Sequence, residues 1–223
     1  MSTNGEQTIV DVWDWPIRVF HWSLVVCLIA LFVTVRQGWM QAHIFAGYAL
    51  SGLLVFRLCW ALVGTTYARL SGFNLSIGGF LHQLAAMARG NAPHYLGHNP
   101  AGALMVIVIV IVLALQIASG LFYTDDVFWF GPFFFSAPDW ALHLAATLHP
   151  RLPALILLLA LTHILAVLYH TLRLGEPLVG AMIHGRKPAA SKHLARSAIN
   201  RYWLLFSLVA ALLWAGWLFT LPL

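Results

Sequence analysis

Two histidines, His149 and His163, lie fourteen residues apart in a strongly apolar stretch of the chain. An α-helix with about 3.6 residues per turn and 1.5 Å of rise per residue would carry both imidazoles on one side, roughly 21 Å apart. An ionisable side chain inside a membrane is costly and usually has a partner. Coordination to iron satisfies a neutral imidazole, so we hypothesise that each histidine is one axial ligand of a haem. Other helices would then supply the second ligand to each iron.

The composition is that of a membrane protein. Of 223 residues, 61% are hydrophobic and 9% are charged, whereas a soluble domain carries about 25% charged residues. The net charge is +5, but the basic residues are confined to particular loops, so no nucleic-acid partner is expected. Cys27 and Cys59 lie inside apolar runs and are predicted to be small buried hydrophobes rather than a disulfide. We expect no cleavable signal sequence and a first apolar run that is retained as a membrane anchor.

The apolar runs predict an all-α membrane protein, residues 1–223 forming a single integral membrane domain. A four-helix transmembrane bundle is expected to hold two haems, with a fifth transmembrane helix at the C-terminus. Pro150 and Pro153 leave open whether the fourth span is kinked or begins later. Residues 1–12 are predicted to be loosely ordered, and 77–87 to form a short interfacial helix. The predicted spans are about 17–35, 43–63, 101–122, 142–172 and 202–221.

The loops predict the orientation. Basic residues concentrate in the N-terminal segment, in the loop between spans 2 and 3, and in the loop between spans 4 and 5. The last of these loops holds Arg173, Arg186, Lys187, Lys192, Arg196 and Arg201. By the positive-inside rule the N-terminus is cytoplasmic and the C-terminus periplasmic, in a bacterial inner membrane.

This orientation converts positions along the chain into depths. His21 and His163 fall toward the inner face, and His43 and His149 toward the outer face. Two bis-histidine haems stacked across the bilayer are therefore predicted. A haem iron with two imidazole ligands has no open position, which suits electron transfer and not oxygen binding. Any one of these histidines alone would more often be an interfacial polar residue, so the hypothesis depends on all four.

Further residues are candidates for contacts with the haems. Gly47 follows His43 by four residues on the same face, where a side chain would crowd a porphyrin. Arg57 is a candidate to pair with a propionate of the inner haem, with snorkelling to the interface as the alternative. Arg18 is a second candidate for the propionate. His170 shares a face with His163, but we expect it near the inner surface without a partner.

Six sequence motifs are similar to those of a known family. They are VWDWPIRVFHW at 12–22, HIFAGY at 43–48, GHNPAGALMV at 97–106, SGLFYTDD at 119–126, GP at 131–132 and EPLVGAMIHGRK at 176–187. Together with the His149–His163 pair, they make the chain resemble the bacterial di-haem cytochrome b561 family, which includes the b-type cytochrome subunit of Ni/Fe hydrogenases.

The resemblance implies two b haems with axial ligands His21, His43, His149 and His163. It also implies electron transfer between a redox partner and quinone, with His98 and Asn99 in a quinone or propionate neighbourhood. His170, Pro150 and the fifth span depart from the family pattern.

Three functions are compared. The leading hypothesis is an inner-membrane b-type cytochrome, an electron-transfer subunit rather than an independent enzyme, with no catalytic residues of its own. Its partners would be membrane lipid, quinone and a redox protein such as a hydrogenase-like enzyme or a cytochrome c. The alternative is a stand-alone haem enzyme that passes electrons from a small reductant or superoxide to quinone. A non-haem scaffold or transporter ranks last, because the chain lacks the paired broken helices of transporters.

Overall fold

A computed structural model describes residues 7–190 and 197–221 of the chain. Most of these residues are helical, and the only regular strands among them form one short antiparallel pair. The elements are β1 (Gln7–Asp11), α1 (Trp15–Arg36), α2 (Met40–Val63), a 3-10 turn (Leu70–Gly72), α3 (Ile77–Ala88), α4 (Pro100–Phe122), a second 3-10 turn (Phe134–Ser136), α5 (Asp139–Leu148), α6 (Leu152–Arg173), α7 (Leu178–His184), β2 (Arg186–Ala190) and α8 (Arg201–Phe219).

Five helices are long and apolar enough to cross a membrane, as the hydropathy of the chain predicts. They are α1, α2, α4, α6 and α8, with 22, 24, 23, 22 and 19 residues. At about 1.5 Å per residue, even the shortest of them is close to the roughly 30 Å hydrocarbon thickness of a bilayer. The predicted helical membrane fold is therefore confirmed.

The predicted interfacial helix over 77–87 corresponds to α3. The Ser76 hydroxyl caps it by accepting a hydrogen bond from the backbone N–H of Gly79 at 2.9 Å. Large aliphatic residues of α3, among them Ile77 and Leu81, are exposed on its surface. Such an apolar face suits a helix that lies in the headgroup region.

The prediction of one continuous span over about 142–172 is wrong in detail. Two helices occupy this segment, and α6 begins only at Leu152, which is the later start that the prolines left open. Pro150 has no N–H to continue the hydrogen-bond ladder of α5, whereas Pro153 is tolerated in the first turn of α6. His149 caps the C-terminus of α5 and His163 lies on α6. The two histidines therefore do not share a helix, and the four-turn spacing does not apply to them.

The chain divides into two compact units. Unit 1 contains residues 1–19, 59–106 and 161–204, and unit 2 contains residues 20–58, 107–160 and 205–223. Lys192, His193 and Arg196, which belong to the predicted basic loop, lie outside the described residues, as do residues 1–6.

Unit 2 is built around a compact apolar core. Its buried members are Leu50, Val112, Leu113, Leu152 and Ile156, and Leu31 and Leu148 pack against them. Because lipid chains are as apolar as these side chains, van der Waals packing holds such a core together in a membrane. The core thus fixes segments of α1, α2, α4, α5 and α6 relative to one another within this unit.

The fifth span packs against α2 in unit 2. The Trp214 indole N–H donates to the Ser51 hydroxyl at 3.1 Å. A Cβ added at Gly52 would lie 3.0 Å from the Cβ of Ala215, so the two helices approach closely at small residues. The helix that lies outside the four-helix pattern is thereby a packing element of this unit.

In unit 1 the N-terminal segment pairs with the chain that follows α7. Gln7 faces Ala190 and Asp11 faces Arg186 in the antiparallel ladder of β1 and β2. Gly185 continues the attachment, because its carbonyl accepts hydrogen bonds from the N–H groups of Val12 and Trp13 at 2.8 and 3.0 Å. Gly185 has φ +87°, and a Cβ there would lie 2.6 Å from the Trp13 carbonyl oxygen, so only glycine fits. The prediction of a loosely ordered segment is therefore wrong for residues 7–11.

Asp14 anchors the start of α1 in the interior of unit 1. Its carboxylate accepts hydrogen bonds from the Ile17 N–H at 2.8 Å, the Trp60 indole N–H at 3.0 Å and the Thr65 hydroxyl at 2.6 Å. The residue is 1% exposed, so these three donors satisfy a charge that is almost completely buried. Asp14 is both the N-cap of α1 and a link to the end of α2.

Replacing Asp14 with alanine is expected to lower the free energy of unfolding by about 3 kcal/mol, because three buried donors lose their acceptor. SDS titration of the purified protein in detergent, followed by far-ultraviolet circular dichroism, measures the change. Asp11→Ala is the matched control, since Asp11 is half exposed and pairs with Arg186 at 3.3 Å. An exposed pair of this kind contributes roughly 0–1 kcal/mol. Equal stability of the two variants would contradict the assignment.

Candidate functional site

His43 lies in the first turn of α2, where the chain has just reversed after α1. Its Nδ1 atom is 3.1 Å from the Leu31 carbonyl oxygen and 3.4 Å from the Thr34 hydroxyl, both on α1. Thr34 donates its own proton to the Ala30 carbonyl at 2.7 Å. The end of α1 thus holds the His43 ring through its Nδ1 atom.

His149 is held in a corresponding way by α4. Its Nδ1 atom lies 3.2 Å from the Gln116 carbonyl oxygen, and the Gln116 side-chain amide donates to the His149 carbonyl at 3.2 Å. The Ser119 hydroxyl is 3.4 Å from the same Nδ1. A Cβ added at Gly120 would lie 2.7 Å from Cε1 of the ring, so the imidazole rests directly on the α4 backbone.

The rings of His43 and His149 lie close together in unit 2. Their centroids are 6.4 Å apart and their planes are nearly perpendicular, at 86°. Since a carbonyl oxygen only accepts hydrogen bonds, the Leu31 carbonyl favours the tautomer of His43 that carries its proton on Nδ1. The Gln116 carbonyl allows the same tautomer for His149, whose Nδ1 also lies 3.2 Å from the Gln116 amide nitrogen. In that tautomer the Nε2 lone pair of each ring is available to a metal.

Sequence reasoning missed the residues that hold His149 in place. Gln116 and Ser119 are polar side chains in an otherwise apolar span, and this was the available signal. A polar side chain in a membrane helix usually faces a partner, so Gln116 pointed to a site on this face of α4. Nothing in its spacing connected it with His149, which lies thirty-three residues further along the chain.

The other predicted haem contacts are distributed over both units. His21 belongs to unit 2 and His163 to unit 1, and both are half-buried; their pairing stays a prediction. Arg57 is 5% exposed, so its side chain is enclosed by protein and does not snorkel to a surface. At Gly47 an added Cβ would meet nothing within 4 Å, so open space adjoins this turn of α2. Arg18 donates a hydrogen bond to the Ile183 carbonyl, and its role toward a propionate stays a prediction.

His98 and Asn99 lie in unit 1 at the start of α4. The His98 ring contacts those of Trp13 and Phe73, with centroid distances of 4.8 and 4.9 Å. The side-chain oxygen Oδ1 of Asn99 accepts a hydrogen bond from the Gly102 N–H at 2.7 Å and so caps α4. The side-chain nitrogen Nδ2 of Asn99 therefore points away from α4. That nitrogen is 3.5 Å from Nε2 of His170.

The expectation that His170 lacks a partner is wrong. Its Nδ1 lies 3.5 Å from Oε1 of Glu176, which in turn lies 3.3 Å from Nδ1 of His94. The chain turns back after α6 at Gly175, where φ is +68°, and this turn places Glu176 beneath His170. The distance to Glu176 is that of an ion pair, longer than an ordinary hydrogen bond.

The surroundings of Glu176 keep it ionised. Burial alone would raise the pKa of its carboxyl group, but the contact with His170 and the charges of Lys187, His170 and His94 together hold the pKa below its usual range. Burial lowers the pKa of Lys187, and the charge of Glu176 offsets part of that effect. Stability from ionised Glu176 is present above the ordinary pKa of a glutamate and is lost as the pH falls through the depressed value.

Comparison with known proteins identifies the family. Residues 12–185, more than three quarters of the chain, match the family model described as prokaryotic cytochrome b561. A search of curated proteins finds no match. The matched range runs from the end of the N-terminal strand through α7 and includes all four predicted haem ligands. The chain therefore belongs to the prokaryotic cytochrome b561 family, and it is a multi-pass membrane protein that binds b-type haem and takes part in electron transfer.

Proposed function

We propose that the protein is an inner-membrane cytochrome that transfers electrons between a redox partner protein and the quinone pool through two bis-histidine haems. The observation that carries this proposal is the pair of imidazoles formed by His43 and His149. Bound between two imidazoles, haem iron changes oxidation state by one electron and offers no free coordination position. Transfer of single electrons is therefore the chemistry that such a site supplies.

The geometry of this pair fits a haem. Two metal–imidazole bonds of about 2.0–2.1 Å, with about one further ångström from each nitrogen to its ring centre, separate the centroids by roughly 6 Å. The observed separation is 6.4 Å. Histidines that ligate metals usually donate the proton of their other ring nitrogen to a carbonyl or carboxylate, as the contacts of His43 with Leu31 and of His149 with Gln116 allow.

His21 and His163 are proposed to hold the second haem. The family and the matched depths predicted for the two residues support this assignment. Arg57 is proposed to neutralise a propionate, because a guanidinium forms charge-assisted hydrogen bonds with carboxylates and Arg57 is buried on α2, the helix that carries His43. The open space beside Gly47 supports a role for this glycine in admitting the porphyrin next to His43.

His98 and Asn99 are proposed to border the quinone site. A quinone presents two carbonyl oxygens that accept hydrogen bonds and a flat ring that packs against aromatic side chains. The Asn99 amide nitrogen supplies a donor, and the aromatic contacts around His98 supply a surface for the ring. These features lie in unit 1, together with the buried ionisable residues around Glu176.

The proposed orientation places the N-terminus in the cytoplasm and the C-terminus in the periplasm. The basic loops support it by the positive-inside rule. In this orientation His43 and His149 lie on the periplasmic side, where a hydrogenase-like enzyme or a cytochrome c would exchange electrons with the protein. Membrane lipid is proposed as a further partner, because five helices are long and apolar enough to cross a membrane.

Spectroscopy and kinetics of the purified full-length protein test the proposal. We expect about two b haems per chain by reduced-minus-oxidised spectra and haem extraction, and oxidation of the reduced protein by a short-chain benzoquinone. One haem per chain would contradict the two-haem assignment, and failure of benzoquinone to oxidise the protein would contradict the quinone assignment. Rapid turnover of superoxide with quinone by the single chain would favour the stand-alone enzyme.

A further inference from the structure

Three ionisable side chains of unit 1 form a continuous row that the proposed path of electrons does not use. His94 and His170 approach the same carboxylate oxygen of Glu176, at 3.3 and 3.5 Å, and both do so through Nδ1. One oxygen atom thus bridges two imidazoles. Imidazole carries a proton on either of its two nitrogens, so such a row is able to pass a proton along its length.

The row leads from solvent into the protein. The His94 side chain is 67% exposed, whereas the side chains of Glu176 and His170 are 8% and 5% exposed. At the inner end, His170 Nε2 faces the Asn99 amide nitrogen at 3.5 Å. Buried ionisable groups are costly, so this arrangement of a carboxylate and a histidine calls for a function.

The hydrogen bonds define which atoms carry protons. Because the side-chain oxygen of Asn99 accepts from the Gly102 N–H, the side-chain N–H₂ of Asn99 points to His170. Nε2 of His170 is then the acceptor of that N–H₂. The proton of neutral His170 then lies on Nδ1, the nitrogen that is 3.5 Å from Oε1 of Glu176. His170 therefore presents its basic nitrogen, Nε2, on the Asn99 side.

The charges around Glu176 keep this resting state. Besides the two histidines, the buried Lys187 acts on Glu176, and its ammonium donates to the Tyr95 carbonyl at 3.0 Å. These groups hold the pKa of Glu176 below its usual range, so the carboxylate is ionised at neutral pH and readily passes on to one imidazole a proton that it has received from the other.

We propose that His94, Glu176 and His170 form a proton relay between solvent and the Asn99 neighbourhood. The relay rests on the proposed quinone site at His98 and Asn99. Reduction of a quinone to a quinol consumes two electrons and two protons, and each carbonyl oxygen gains an O–H bond. The electrons come from the redox partner protein, and the protons come from water through the relay, one at a time.

Oxidation of a quinol runs the same steps in reverse. An O–H bond of the quinol breaks as a new N–H bond forms at His170 Nε2, and His170 releases its Nδ1 proton to Oε1 of Glu176. Glu176 passes that proton to Nδ1 of His94, which returns a proton to water from Nε2. Each transfer breaks one bond to hydrogen and makes one, so His94, Glu176 and His170 are restored after proton release and reorientation of the hydrogen bonds.

A purely structural clamp is the competing explanation, since Glu176 ties the turn after α6 to His94, and Lys187 of β2 ties to the neighbouring Tyr95 carbonyl. The two explanations differ in how the reaction depends on the electron acceptor. If the contacts are only a clamp, their loss disturbs the fold and slows oxidation of the protein by every electron acceptor. If they form a relay, their loss slows oxidation only by an acceptor that takes up protons together with electrons.

Stopped-flow oxidation of the reduced, haem-loaded, full-length protein separates the two explanations. A water-soluble benzoquinone is the proton-coupled acceptor and ferricyanide is the acceptor of electrons alone. For Glu176→Gln, which keeps the shape but removes the basic oxygen pair, we expect oxidation by quinone to slow about tenfold or more. Oxidation by ferricyanide is expected to stay within about twofold of the wild type, since no proton is transferred.

His94→Gln is expected to slow the quinone reaction, and added imidazole to restore it, because His94 is exposed to solvent. His184→Gln is the matched control. His184 is also exposed and accepts from the Arg186 N–H at 3.1 Å, but it has no contact with the row among the described residues. It should react like the wild type with both acceptors.

Equal quinone rates for Glu176→Gln and wild type between about pH 5 and 8 would overturn the relay. Equal slowing with both acceptors would overturn it as well, in favour of the clamp. If quinone does not oxidise the wild type at all, the quinone function fails, and proton uptake on reduction of the protein, followed with an indicator dye, decides the relay. Loss of that uptake in Glu176→Gln supports a proton path, and unchanged uptake overturns it.

Discussion

Replacing either His43 or His149 with alanine is expected to leave the purified protein with about one b haem instead of two. Each substitution removes one of the two imidazoles whose centroids lie 6.4 Å apart, and a single histidine does not keep a six-coordinate iron. Haem extraction from the purified protein gives the stoichiometry. His143→Ala is the matched control, because His143 is an exposed histidine on α5, and this variant should retain both haems.

Double substitutions test the pairing itself. His43→Ala combined with His149→Ala should lose the same single haem as either substitution alone, because both residues hold one iron. His43→Ala combined with His163→Ala should lose both haems, because those residues belong to different pairs. Loss of both haems from the first combination, with the second haem retained in each single variant, would refute the proposed pairing.

A side chain at Gly120 is expected to disturb the same site without touching a ligand. A Cβ at this position would lie 2.7 Å from Cε1 and 3.1 Å from Nδ1 of His149, closer than real Cβ atoms approach other atoms. Gly120→Val should therefore displace the imidazole and reduce the haem content to about one per chain. Gly120→Ala should retain more haem than Gly120→Val but change the midpoint potential of that haem. The reason is that protein contacts to a ligating histidine alter the redox potential of the metal that it binds.

Gly216→Val is the control for this substitution. Gly216 also lies in a membrane-spanning helix of unit 2, but an added Cβ would meet nothing within 4 Å. This variant should keep two haems and the potentials of the wild type. Equal haem contents for the Gly120 and Gly216 variants would show that the close contact does not position His149.

The long helices could be predicted because their signal is local. An apolar run of nineteen or more residues identifies a span without knowledge of its neighbours. The depths of His43 and His149 followed from the order and direction of the spans, and the two rings do lie near each other in unit 2. Ligation of haem by these residues stays a prediction.

The contacts that hold the site together could not be predicted from local patterns. Gln116 and His149 are thirty-three residues apart, and β1 pairs with β2 although most of the chain lies between them. The break after His149 depends on whether the chain bends or restarts at Pro150, and both outcomes fit the same residues. His170 contacts Glu176 because the chain reverses at Gly175. The spacing of residues along a helix does not reveal such a reversal.

The pairing of β1 with β2 has a consequence for how the protein is made. Four of the five long helices, α1, α2, α4 and α6, lie between the two strands, and an even number of crossings returns the chain to the side from which it started. The two strands therefore meet on one side of the bilayer, whichever side that is. At roughly 5–20 residues per second, the ribosome needs roughly 10–40 s after completing β1 to reach β2. During that interval β1 has no strand to pair with. The antiparallel pair of β1 and β2 can therefore form only after the four intervening helices have been synthesised.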